Sequence, residues 1–157
     1  TLKEIAAVAK GFGVFWSILG TLVGGMAVAR LGVIRSLALG SVLVIIANLM
    51  FAAFASYNQP NLFGLAFLIS ADNLAMGIAG TSLIAYLSSL TSASYTATQY
   101  ALFSSIYALP GKLLMGTSGF VVDAIGYPAF FVYTSTLGLP ALVLLLFLAR
   151  KMRPEGR

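Results

Sequence analysis

Apolar runs of roughly membrane-spanning length recur along the whole chain, near 12 to 29, 36 to 55, 62 to 86, 99 to 121 and 128 to 149. A helix needs about 20 apolar residues to cross the ~30 Å hydrocarbon core of a bilayer, so each run is long enough to cross it once. The polar breaks between them are brief: Arg30 to Arg35, Ser56 to Asn61, Leu87 to Thr98 and Val122 to Tyr127. No break has room for a soluble domain. The pattern predicts an all-α, polytopic transmembrane bundle of about five spans, numbered one to five below.

Composition agrees with this and removes several chemistries. Sixty per cent of the 157 residues are hydrophobic, 8% are charged, and the mean hydropathy is +1.00. A soluble core of this size could not bury so much apolar surface. Cysteine and histidine are both missing, which excludes disulfides, cysteine metal sites and the side chain that most often shuttles protons at neutral pH. Zinc and triad chemistry are therefore not expected, and no cofactor is implied. The net charge of +5 comes from basic residues at span ends rather than from a nucleic-acid patch. Arg30 and Arg35 lie in the first break and Arg150, Lys151, Arg153 and Arg157 in the tail, with four spans between the two groups. An even number of crossings puts both groups on one side, and the positive-inside rule makes that side cytoplasmic. Lys3 and Lys10 run against this assignment. The chain opens on Thr1-Leu2-Lys3-Glu4 with neither an initiator methionine nor a signal-peptide pattern, and is read as a fragment.

An internal repeat carries more information than composition. Gly25-Met-Ala-Val-Ala-Arg-Leu-Gly32 closes span one, and Gly119-Phe-Val-Val-Asp-Ala-Ile-Gly126 closes span four. An odd offset of three spans puts the two turns on opposite membrane faces, as in an inverted-topology repeat. Five spans with the repeat in this register suggest a three-plus-three unit whose first span is missing, the plan of each half of a major facilitator. The superfamily's local motif sets an acidic residue four after a glycine, followed by a glycine and basic residues. Gly119, Asp123 and Gly126 keep the acidic part. Gly25, Arg30, Gly32 and Arg35 keep the glycines and bases, but Ala29 stands where the acid would be.

Two charges fall deep inside the spans. Asp72 in span three and Lys112 in span four lie roughly 14 to 15 Å from the outer ends of their spans, near the midplane. A lone charge at that depth costs about 2.5–3.5 kcal/mol, so such groups pair or line a wet cavity. A pair between Asp72 and Lys112 is expected, serving transport; a purely structural pair or a snorkelling lysine is the competing reading. Ala101, Ser105, Ala108, Lys112, Gly116 and Gly119 form a small-residue stripe that would admit another helix closely. Gln99, Phe103, Tyr107 and Pro110 form a second face, expected to meet an aqueous cavity, or else to be ordinary packing. Asn73, Gly77 and Gly80 extend a small and polar face from Asp72, while Gly20 and Gly24 make a small-xxx-small pair, both more typical of packing. Pro110-Gly111 in mid-span reads as a hinge for alternating access.

The run Tyr95-Thr-Ala-Thr-Gln-Tyr-Ala-Leu-Phe-Ser-Ser-Ile-Tyr-Ala-Leu-Pro-Gly-Lys-Leu-Leu114 resembles the AmpG family of muropeptide permeases, within the major facilitator superfamily. Asp72-Asn73 with Gly77, the segment Ala85-Tyr86-Leu87-Ser88-Ser89-Leu90, and Glu4-Ile-Ala-Ala-Val-Ala-Lys10 with Gly11-Phe-Gly13 extend the likeness over nearly the whole chain. The resemblance implies the C-terminal half, less its first span, of a roughly twelve-span bacterial inner-membrane secondary transporter, not an enzyme. Its partners would be the muropeptide substrate, protons, the bilayer and the missing N-terminal half. Such permeases import GlcNAc-anhydroMurNAc compounds, with or without peptide, from periplasm to cytoplasm by proton symport for peptidoglycan recycling. The substrate and proton pathway would then include Asp72, Asn73, Gln99, Tyr107 and Lys112, with Pro110 and Gly111 as the hinge. A related carrier of another anion, such as acetyl-CoA, is the nearest alternative, and a non-transporting structural subunit a more distant one. An intramembrane aspartyl protease would need two facing aspartates, and Asp123 sits at a span end far from Asp72.

Overall fold

The structure, a computed structural model, describes residues 2–57, 61–92 and 94–151, with side chains for 10–57, 61–92 and 94–150. Arg153 and Arg157 of the basic tail, and the side chains of Lys3, Glu4 and Lys151, lie outside the described residues. Four helices account for nearly all of the rest: α1 (Leu2–Leu31), α2 (Val33–Ala55), α3 (Leu62–Ser89) and α4 (Thr96–Lys151). The all-α bundle expected from the apolar runs is therefore what forms, with the five runs in four elements because α4 joins two helices across a break.

The difference lies in α4, where the fourth and fifth apolar runs join. Its 56 residues would reach about 84 Å if straight, far more than a bilayer is thick. Gly126 breaks it, with φ 77° and ψ 164°, without any intervening loop. The break between α1 and α2 is built the same way, on Gly32 with φ 82° and ψ 164°. This conformation is open only to glycine, because any Cβ would collide with the backbone. One residue thus does what the sequence pattern assigns to a six-residue turn. Pro110, Pro128 and Pro140 stay within helical backbone.

Helix directions follow from which residues meet. On α1, Gly13 faces Asn73, Gly20 meets the Leu74 carbonyl and Gly24 meets Ile78 and Thr81, so α1 and α3 run parallel. Gly40 faces Ala79 and Phe54 faces Gly64, so α2 opposes α3. The residues of α4 after Gly126 oppose α2: Phe131 stacks on Phe51 with ring centroids 5.2 Å apart, and Gly138 lies against Ile45. Thr134 Oγ1 donates to Asn48 Oδ1 at 3.2 Å across the same seam.

Small residues make these seams. A Cβ on Gly77 would fall 2.7 Å from the Ser17 carbonyl oxygen, and one on Gly40 would fall 2.6 Å from the Ala79 Cα. Backbones approach this closely because association in lipid depends on van der Waals contact rather than on the hydrophobic effect. Buried hydroxyls are mostly turned back onto their own helix, as Ser70 Oγ donates to the Ala66 carbonyl at 2.7 Å and Ser82 Oγ to Ile78 at 2.8 Å. Ser36, fully buried, leaves its hydroxyl without a partner. Large apolar side chains such as Phe63, Phe67, Phe120 and Phe147 point outward, as they do in a protein whose solvent is hydrocarbon.

Candidate functional site

Asp72 and Lys112 are not brought together. Among the described residues no ion pair within 4.0 Å joins them. The cause is topological: α3 commits two flanks to α1 and α2, and α4 touches α3 only slightly. Asp72 is half-buried on α3. Its neighbour Asn73 turns toward α1, where its amide sits against Gly13 and donates to the Ile69 carbonyl at 2.8 Å.

Lys112 is exposed midway along the part of α4 that precedes Gly126. It borders a hollow of about 300 Å³ with Ser104, Ser105, Ala108 and Leu109, all on the same helix. Gln99 is elsewhere. Its Oε1 accepts from the Ser92 backbone N–H at 2.7 Å and from Ser92 Oγ at 3.3 Å, clasping the connection that leads into α4. Thr96 Oγ1 adds a bond to the Ser92 carbonyl at 2.7 Å. The arrangement is a capping box in altered spacing, since a side chain just inside the helix satisfies an amide just before it.

Tyr107 borders the main cavity of the bundle, about 440 Å³ between α2, α3 and both parts of α4. The cavity wall is mainly aliphatic, with polar groups from Ser41, Asn48, Tyr86, Tyr107 and Thr134. Asn48 and Thr134 were not read as site residues from the sequence, although a lone amide in the middle of the second apolar run was a usable signal. Pro110 and Gly111 are exposed on α4. The two repeated turns close opposite ends of the molecule. Arg30 and Arg35 flank Gly32, and Arg150, at the far end of a segment antiparallel to α2, lies at that same end. Asp123 lies beside Gly126 at the other end; Arg30, Arg35, Asp123 and Arg150 are all exposed.

The offset that carries Gly32 onto Gly126 also relates the two halves of the bundle. It carries Gly13, Gly40 and Phe54, which touch α3, onto Tyr107, Thr134 and Leu148. All three of those residues line the main cavity. Gly20 and Gly24, which also touch α3, map onto Leu114 and Ser118, outside that cavity.

Comparison with known proteins agrees with the resemblance read from the sequence. A protein of Rickettsia conorii named "Putative transporter AmpG 4" is 32% identical over 152 residues, covering 97% of this chain and 36% of that protein. "Putative transporter AmpG 1" of Rickettsia bellii is 30% identical over 150 residues, 96% of this chain and 36% of its own length. An uncharacterized protein of Haemophilus influenzae is 34% identical over 153 residues, with 94% and 36% covered. The chain spans about a third of the length of the curated relatives it matches. No family model matches the chain, and no solved structure does. With its long apolar helices, this likeness makes the chain part of a multi-pass membrane protein.

Proposed function

From its homology to the AmpG transporters, we propose that the chain is five of the six helices of the C-terminal half of a major facilitator carrier. The carrier imports anhydromuropeptides across the bacterial inner membrane by proton symport, for peptidoglycan recycling. The observation that carries this reading is likeness along nearly the whole chain to proteins named as AmpG transporters. Two further observations support it. Gly32 and Gly126 share one conformation in an inverted repeat, and Tyr107, Thr134 and Leu148 of the main cavity correspond by that repeat to residues that touch α3. That sixth helix, and the N-terminal half facing the whole unit, are the partners of this chain.

On this reading α4 crosses the membrane twice, before and after Gly126, and the end that carries Arg30, Arg35 and Arg150 is cytoplasmic. The substrate is polar, bulky and anionic, so its path needs hydrogen-bonding groups, aromatic faces for sugar rings and positive charge. Tyr107, Asn73 and Lys112 are assigned to that path, and Asp72 to the proton's. Asp72 is the one carboxylate in mid-helix among the described residues. Gln99 is assigned to the mouth of the path, where it also secures the α3–α4 connection.

The test is uptake of labelled disaccharide anhydromuropeptide into vesicles containing the full-length protein, with and without an inward proton gradient. Gradient-stimulated uptake supports the permease. Verified, folded protein that takes up no muropeptide but exchanges another organic anion makes it a different carrier of the same fold.

A further inference from the structure

We infer that Lys112 and Ser104 form a subsite for a single carboxylate of the transported molecule. The inference deepens the transport reading above and rests on it. Ser104, Ala108 and Lys112 recur every fourth residue, so they form one row along α4. Helical side chains lean toward the N-terminus of their helix, which lays the lysine stem over Ala108 toward Ser104. The three border one hollow of about 300 Å³, and the small side chain of Ala108 leaves the space between ammonium and hydroxyl open.

Neither polar group is satisfied within the chain. Ser105 Oγ is already used, donating to the Ala101 carbonyl at 2.8 Å, whereas Ser104 Oγ and the Lys112 ammonium have no partner among the described residues. Asp72, the one acidic side chain expected at comparable depth among those residues, forms no ion pair with Lys112. A lysine halfway along a membrane-spanning helix as a rule lines a wet cavity or pairs with an anion rather than facing lipid.

By the internal repeat, a sixth helix would leave this row uncovered. The offset that relates the two turns carries Lys10, Val14 and Ile18 of α1 onto Ser104, Ala108 and Lys112. On α1 those three residues are exposed, while Gly13, Gly20 and Gly24 receive α3. A helix seated on α4 as α3 sits on α1 would cover the row through Tyr107 and Leu114. Lys112 would stay open on the adjoining face, toward the rest of the carrier. One ammonium and one hydroxyl match a carboxylate, which brings one negative charge and a second oxygen to accept from the hydroxyl. A phosphate dianion would leave a negative charge unmatched.

The experiment measures uptake by the full-length protein in proteoliposomes of two substrates, an anhydromuropeptide with one free carboxylate and the same compound with that group as a carboxamide. Lys112→Gln should raise KM for the carboxylate form about tenfold or more and leave the carboxamide nearly unchanged. Lys112→Arg should restore part of the difference, and Ser104→Ala should shift KM a few-fold in the same direction as Lys112→Gln. Equal losses for both substrates in folded Lys112→Gln would overturn the subsite and make Lys112 structural. Wild-type protein that takes up neither substrate would instead overturn the transport reading. Thermal stabilisation of purified full-length protein by N-acetylmuramate then decides the subsite: stabilisation lost in Lys112→Gln supports it, and stabilisation unchanged or absent refutes it.

Discussion

At the scale of single residues, glycine decides most of what happens in this bundle, by two different mechanisms. Gly32 and Gly126 are needed for a backbone conformation, and Gly20, Gly40 and Gly77 for space. Alanine at Gly32 or Gly126 should each cost about 1–3 kcal/mol, and the two losses should match because the two conformations do. Thermal unfolding of the detergent-solubilised full-length protein would measure both. Gly77→Val should be worse, since the added atoms meet the backbone of Ser17 and Thr21, whereas Gly25→Ala enters open space and should be neutral. The Asn48–Thr134 bond is a different case, a polar contact across a lipid-embedded seam. A double-mutant cycle of Asn48→Ala and Thr134→Ala should give a coupling of about 0.6 kcal/mol, because unfolded helices in a membrane also find partners for such groups.

At the scale of elements, the apolar runs marked where helices lie but not how they join. Span ends near Ala55 and Leu62 were legible because Ser56 to Asn61 is polar and Asn61 caps α3, its Oδ1 accepting from the Gly64 N–H at 2.6 Å. The break after the fourth run was legible too, between Val122 and Tyr127, but not that one glycine within it makes the reversal, because dihedral angles leave no trace in a hydropathy pattern. Gln99 shows a similar limit. Its spacing put it on a polar face of α4, but the loop that folds back to it decides its bond to Ser92. Gln99→Ala should speed hydrogen exchange at the Ser92 amide by removing its acceptor, with the core of α3 unaffected, as mass spectrometry of peptides from this region would show. Pro110 already sits in helical backbone, so Pro110→Ala should leave the fold intact. If Pro110-Gly111 flexes during the transport cycle, that variant should slow turnover with little change in KM; unchanged turnover would remove the hinge.

At the scale of the whole molecule, helix direction and charge agree. Arg30, Arg35 and Arg150 share one end of the bundle, and Asp123 occupies the other. The chain contains no cysteine, so single cysteines placed in the full-length protein on a cysteine-free background would report sidedness cleanly. Cysteine at Ser92 should react with a membrane-impermeant maleimide only from the cytoplasmic face, and cysteine at Asp123 only from the opposite face. Reaction of both from one side would remove the double crossing of α4.

The sequence by itself determined the class of fold, the approximate extent of the apolar segments and the internal repeat. Hydrocarbon thickness and the need to satisfy every backbone amide leave a chain of this pattern little besides membrane-spanning helices. The family likeness was legible for the same reason that motifs are, since it rests on residue identity along the chain. Tertiary structure alone decided which deep polar groups meet. Asp72 and Lys112 are expected at similar depth, but depth is one coordinate, and the azimuth of each helix is set by the small-residue seams that turn α3 toward α1 and α2. The same seams turned Asn48 to Thr134 and enclosed a cavity between α2, α3 and α4.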